Sequence, residues 1–230
     1  MDFFERLLGI DLKTFLLSLP IILFALVFHE VSHGFIALKL GDPTAKNLGR
    51  LTLNPLKHLD PIGTVCMVLF HFGWAKPVPI NVSYFKKPKR DMALTALAGP
   101  VSNLLLGFIG VIIYKILSAV FNSIYSPTTP DIAFNIMTNT LYFFSLFVVL
   151  NVSLGIFNLI PVPPLDGSRI LLTFLPAKYY FGVMKYERFI MIGFFVLLFA
   201  FNRIGFSPIG RLVGWVISGM EWLIGLIPGL

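Results

Sequence analysis

Charge is missing from long stretches of this chain, and the lengths of those stretches predict its elements. Thr14–Leu38 runs for 25 residues with His29, Glu30 and His33 as its only ionisable groups. As a helix it would extend roughly 37 Å at 1.5 Å per residue, more than the roughly 30 Å hydrocarbon core of a bilayer. Met92–Tyr114 is a second run of spanning length. Ile132–Leu165, at 34 residues, has room for a span plus a buried loop. Phe189–Asn202 and Leu212–Leu230 are two further apolar segments, with Arg203 and Arg211 between them. Ile62–Ala75 has only 14 residues, the length of a re-entrant or interfacial segment. Two stretches read as extended: Gly49–Asn54 alternates apolar with polar, and Lys76–Val82 is β-branched and studded with proline. The expectation is an all-α polytopic membrane protein. It has about five to six transmembrane helices, one re-entrant or interfacial segment and short β-like ribbons. No internal repeat or low-complexity linker divides it. Residues 1–230 therefore read as one membrane-embedded domain, with a core of about 14–175 and C-terminal helices at about 180–230.

Composition agrees. Hydrophobic residues make up 57% of the 230 and charged residues 13%, against about 45–50% and about 25% in soluble proteins. Mean hydropathy is +0.85, which excludes an ordinary soluble domain. The net charge of +7 is not a nucleic-acid footprint, because the basic residues lie between apolar runs rather than on a soluble module. They serve instead as cytoplasmic anchors. Nine of them fall between Leu38 and Asp91, whereas Asn122–Ile132 has none. Lys39–Arg90 and Arg169–Arg188 are expected on the cytoplasmic side and the loop near Pro127 outside. The sole cysteine, Cys66, excludes an intrachain disulfide. The first residues, MDFFERLLGIDLK, mix acids and bases, and no small-residue cleavage site follows the apolar run. That run reads as a retained helix rather than a signal peptide.

Ionisable groups inside lipid are costly and mark function. His29-Glu30-Val31-Ser32-His33 is an H-E-x-x-H pattern. On a helix, residues four apart share a face, so both imidazoles can bind one zinc ion, with Glu30 placed to take a proton from water. A catalytic zinc needs a third protein ligand. Asp166 fits best, closing the run Ile132–Leu165 in NLIPVPPLDG (Asn158–Gly167). Three prolines break the helix there, and irregular backbone at membrane depth implies a protein-lined cavity. The alternative for Asp166 is a cap on the helical segment SRILLTFL that follows. His58 and His71 read as structural or interfacial histidines, though either can line the cavity.

These residues resemble the site-2 protease family of intramembrane zinc metalloproteases, in its compact bacterial and archaeal form without a PDZ domain. GRLTLNPLKHLDPIGT (Gly49–Thr64), GWAKPVPIN (Gly73–Asn81) and AGPVSN (Ala98–Asn103) extend the likeness over about Phe28–Ile170. The resemblance implies a zinc cofactor held by His29, His33 and Asp166, with Glu30 as general base. It implies that Asn103 and Asn158 hydrogen-bond substrate backbone or the oxyanion. It further implies a multi-pass protein of a prokaryotic cell membrane, acting on transmembrane protein substrates near the cytoplasmic side of the lipid bilayer, with no nucleic-acid partner. An unwound substrate would pair with the extended stretches near Leu51 and Val78. Ser32 stands where many members carry Gly or Ala. Two other classes compete. A metal transporter or sensor would show inverted repeats and paired broken helices, and neither is found. An inactive scaffold could lose Glu30 freely.

Overall fold

The computed structural model describes residues 11–63, 75–126, 130–176, 182–183 and 185–226. The first apolar run folds as α1 (Leu12–Lys39). Its N-cap is Asp11, whose carboxylate accepts the Thr14 amide at 2.9 Å and also bonds the Thr14 hydroxyl. These two bonds, the hydroxyl's foremost, hold the Asp11 carboxyl below its ordinary value. A short turn, α2 (Thr44–Asn47), follows. Then come α3 (Pro88–Ile124), α4 (Asp131–Leu159), α5 (Asp166–Thr173), α6 (Glu187–Arg203) and α7 (Pro208–Gly225). Asp91 sits in the first turn of α3, where it accepts the Lys87 amide at 2.9 Å and pairs with Arg90. A carboxylate is favoured at that end of the helix dipole.

α3 is the centre of the bundle, packing against α1, α4 and α5. Small residues let the backbones approach. A Cβ on Gly107 or Gly110 of α3 would meet Val152 or Phe147 and Val148 of α4 at 2.6–2.9 Å. This close approach through glycine is how helices associate where lipid removes the hydrophobic drive. Val111, Val148, Val152, Ile156, Val213 and Ile224 form the apolar core that joins α3, α4 and α7.

Polar side chains are buried beside this core. His29, His33, Asp91, Thr95, Asn103 and Asn151 are buried, while Phe24, Leu105, Ile109 and Ile116 on the same helices are exposed. In water this arrangement would be inside out; in lipid it is the expected one, because the exposed apolar side chains meet acyl chains. Three helices among the described residues, α1, α3 and α4, are long and apolar enough to cross a membrane.

Two expectations are not confirmed among the described residues. Of the five to six spans expected, three have the length and apolarity to cross a membrane. α6 and α7 have 17 and 18 residues; Arg203 ends α6, and Arg211 and Glu221 lie within α7. The β-like ribbons do not form ladders: among the described residues there is a single isolated antiparallel bridge, Leu59 to Ala75. Gly49 turns the first stretch at φ 62°, and Pro77 and Pro79 have no N–H to offer a ladder in the second. The proposed re-entrant segment falls mostly on residues 64–74, and Cys66 and His71 with it, outside the described residues.

Candidate metal centre

Two helices and a broken turn bring the site together. His29 and His33 lie one turn apart on the buried face of α1. After α4 ends at Leu159, Pro161, Pro163 and Pro164 carry the chain through an irregular turn to Asp166, the first residue of α5. Gly167 permits this return, since a Cβ there would collide with the Leu159 and Ile160 backbone. Asp166 Oδ2 then lies 3.0 Å from His29 Nε2 and 3.3 Å from His33 Nε2. The two Nε2 atoms are 3.0 Å apart.

Hydrogen bonds decide which nitrogens carry protons. His29 Nδ1 lies 2.6 Å from Asn103 Oδ1, and Asn103 Nδ2 donates to the Ala25 carbonyl at 3.1 Å. The amide oxygen therefore accepts, and His29 Nδ1 donates. His33 Nδ1 lies 2.7 Å from the Thr95 carbonyl, which can only accept. In neutral imidazoles both Nε2 atoms are left with bare lone pairs. Asp166 Oδ2 is also buried, and despite its closeness to both rings it has no hydrogen bond of good geometry. Three acceptors thus converge with no proton donor among them. An uncompensated buried carboxylate costs several kcal/mol, and a cation at the centre removes the conflict.

The donor set suits zinc. Three ligands placed tetrahedrally at about 2.0–2.1 Å from one ion stand about 3.3 Å apart, close to the separations found here. Two imidazoles and a carboxylate form a borderline-hard set of the catalytic kind. The Asn103 and Thr95 contacts supply the outer partners that orient metal-binding histidines. Gly99 on α3 closes one wall: a Cβ there would lie 2.5 Å from His33 Nε2 and 2.6 Å from His29 Nε2.

Glu30 points into the same cavity of about 290 Å³, whose walls include His29, His33, Asn158, Asp166 and Arg169. Its Oε2 accepts the Val78 amide at 2.7 Å. Asn158 lines the cavity and donates through Nδ2 to the Leu154 carbonyl at 3.0 Å. Asn103 lies behind His29, fully buried, with both ends of its amide engaged; it does not line the cavity. His58 is buried outside the His29–His33–Asp166 cluster, with Nε2 2.8 Å from the Thr52 carbonyl. Sequence reasoning missed the Thr95 carbonyl, Asn151 and the contact of the Val78 amide with Glu30. Asn151 touches the site only through a 3.4 Å contact with Asn103.

Comparison with known proteins agrees with this chemistry. Residues 17–201 match the family model of Peptidase family M50. The chain is 42% identical over 187 residues to "Putative zinc metalloprotease YwhC" of Bacillus subtilis, covering 81% of this chain and 78% of the relative. It is 26% identical over 210 residues to "Putative zinc metalloprotease Rip2" of Mycobacterium tuberculosis, covering 89% and 71%. It is 31% identical over 161 residues to "Zinc metalloprotease MJ0392" of Methanocaldococcus jannaschii, covering 70% of this chain and 34% of that one. No solved structure matches with significance. The motif resemblance and a family match over most of the chain meet on one conclusion: this protein belongs to peptidase family M50, the site-2 protease family of metalloproteases.

Proposed function

We propose that the chain is an intramembrane zinc endopeptidase that hydrolyses peptide bonds within or near transmembrane segments of membrane-protein substrates. The observation that carries this reading is the convergence of His29 Nε2, His33 Nε2 and Asp166 Oδ2 beside the Glu30 carboxylate. All four lie on elements packed among apolar helices. His29, His33 and Asp166 would hold the ion. Bound zinc supplies Lewis-acid chemistry, lowering the pKa of water and polarising a carbonyl.

The protein's own groups do the rest. Asn103 and the Thr95 carbonyl fix both imidazoles with Nε2 inward. Glu30 accepts the proton of the attacking water and passes it to the leaving amine. One of its oxygens is engaged by the Val78 amide, which leaves the other to carry the proton. Asn158, on the cavity wall, hydrogen-bonds the substrate backbone near the scissile bond. A substrate helix must unwind to present its carbonyl. The catalytic histidines lie near the end of α1 that carries Lys39, so the site opens toward the cytoplasmic side.

Purified protein in liposomes with a single-span reporter tests this. The account expects cleavage that stops when a chelator strips the metal and returns when zinc is restored. Zinc flux across the vesicles without any cleavage would favour the transporter instead.

A further inference from the structure

The segment 76–81 crosses the front of the site, and the proposed function does not explain how it is held. Its beginning is fixed twice: the Lys76 amide donates to the His58 carbonyl at 2.7 Å, and the Lys76 carbonyl accepts from Arg50 Nη2 at 2.7 Å. Its end is fixed by Asp42, fully buried, whose Oδ2 accepts the Asn81 amide at 2.7 Å. At the middle the Val78 amide donates to Glu30 Oε2. Pro77 and Pro79 flank that amide. Neither has an N–H, so among residues 77–79 Val78 alone can donate a backbone proton. Gly34, next to His33, lets the strap sit close: a Cβ there would lie 3.0 Å from Val78 Cγ1.

Arg50 is the unexpected member. It is 8% exposed, and it stands among the described residues without a carboxylate in ion-pair contact. Its Nε has no hydrogen-bond partner. A guanidinium withdrawn from water without a counter-ion is costly, and a core residue chosen only for packing would not carry that charge. Its guanidinium donates to the Lys76 carbonyl, two residues before the amide that holds Glu30.

We infer that Arg50 is a positioning residue for peptide hydrolysis: it anchors the 76–81 strap so that the Val78 amide fixes the Glu30 carboxylate with one oxygen turned to the reacting water. This inference rests on the proposed protease function. Arg50 touches neither the metal ligands nor substrate; it acts through Lys76 and Val78. A lost hydrogen bond to a charged group corresponds to roughly 10- to 100-fold in rate.

The test uses the full-length, zinc-loaded protein in detergent with fluorescein-labelled casein as an unfolded probe. Arg50→Gln is expected to lower kcat by about 10- to 100-fold, with KM and zinc content held near wild type. Arg50→Lys keeps a cationic donor and is expected to recover most of the loss. Hydrogen exchange of a peptide covering 76–81 should speed up in Arg50→Gln. Val78→Pro removes the donor outright and is expected to match Arg50→Gln. Wild-type kcat in Arg50→Gln overturns the inference. So does zinc loss in that variant, an Arg50→Lys as poor as Arg50→Gln, or wild-type kcat in Val78→Pro. Failure of the underlying protease reading looks different: wild type itself would then leave casein and membrane reporters uncut.

Discussion

Glu30→Gln is expected to abolish cleavage while leaving the metal in place. Glutamine is close in volume to glutamate, and its amide oxygen can still accept the Val78 amide, so the strap stays seated. What disappears is the carboxylate that takes the proton from water. Removal of a positioned general base costs about 10²- to 10⁴-fold in rate, and this residue acts in both proton transfers, so the upper end is expected. The measurement is kcat alongside zinc content on the same sample. Activity within tenfold of wild type at full zinc occupancy would move the base to another residue.

Gly99→Ala is expected to have the second-largest effect, and it separates local from global stability. In an ordinary helix interior this change is stabilising by about 1 kcal/mol. Here the added methyl lies 2.5 Å from His33 Nε2 and 2.6 Å from His29 Nε2, far inside the 3.5–4.0 Å of good van der Waals contact. The imidazoles must shift by roughly 1 Å, and a misplacement of that size costs on the order of 10²-fold. Zinc affinity and kcat should both fall by about that factor or more, with the helix itself intact by circular dichroism. Gly193→Ala in α6 is the control, since a Cβ there meets nothing within 4 Å. Its zinc content and activity should match wild type. Full zinc occupancy in Gly99→Ala would show that the cradle is roomier than its geometry indicates.

Much of the site was legible because its signals are side chains at fixed spacing. His29 and His33 announce themselves by a four-residue interval inside an apolar run, and the structure puts their Nε2 atoms 3.0 Å apart. Asp166 was legible through the prolines before it, which forced the chain out of helix where a cavity was needed. Asn103 was found by resemblance, with a contact to substrate as its expected task. Its amide spans from His29 to the Ala25 carbonyl, a pairing across 74 residues that no local pattern encodes. The Thr95 carbonyl and the Val78 amide were beyond reach for a different reason: every residue but proline has both groups, so the sequence does not distinguish the ones that are used. Gly99 likewise carries no chemistry of its own, and its meaning lies in the atoms that leave no room for a methyl.

The fold shows the same division. Unbroken apolar length made α1, α3 and α4 predictable, since lipid requires it. The alternation in 49–54 and the β-branched, proline-studded run 76–82 did not lead to strands among the described residues. Arg50, Asp42 and Glu30 donate hydrogen bonds to, or accept them from, the backbone of 76–81 through their side chains, so no ladder is needed to satisfy those groups. Likewise the C-terminal run that read as an apolar segment folds as α7, which packs on the α3–α4 core through Val213 and Ile224. Its apolar residues are explained by that packing as much as by lipid.

The most direct measurement is the zinc content of purified wild type and of Asp166→Ala, taken after dialysis against metal-free buffer and supported by X-ray absorption of the wild type. The account predicts one zinc per chain with only nitrogen and oxygen neighbours, and a metal lost or bound at least about 100-fold more weakly once the carboxylate of residue 166 is gone. Equal zinc retention in both proteins, or a sulfur neighbour in the wild type, would contradict it.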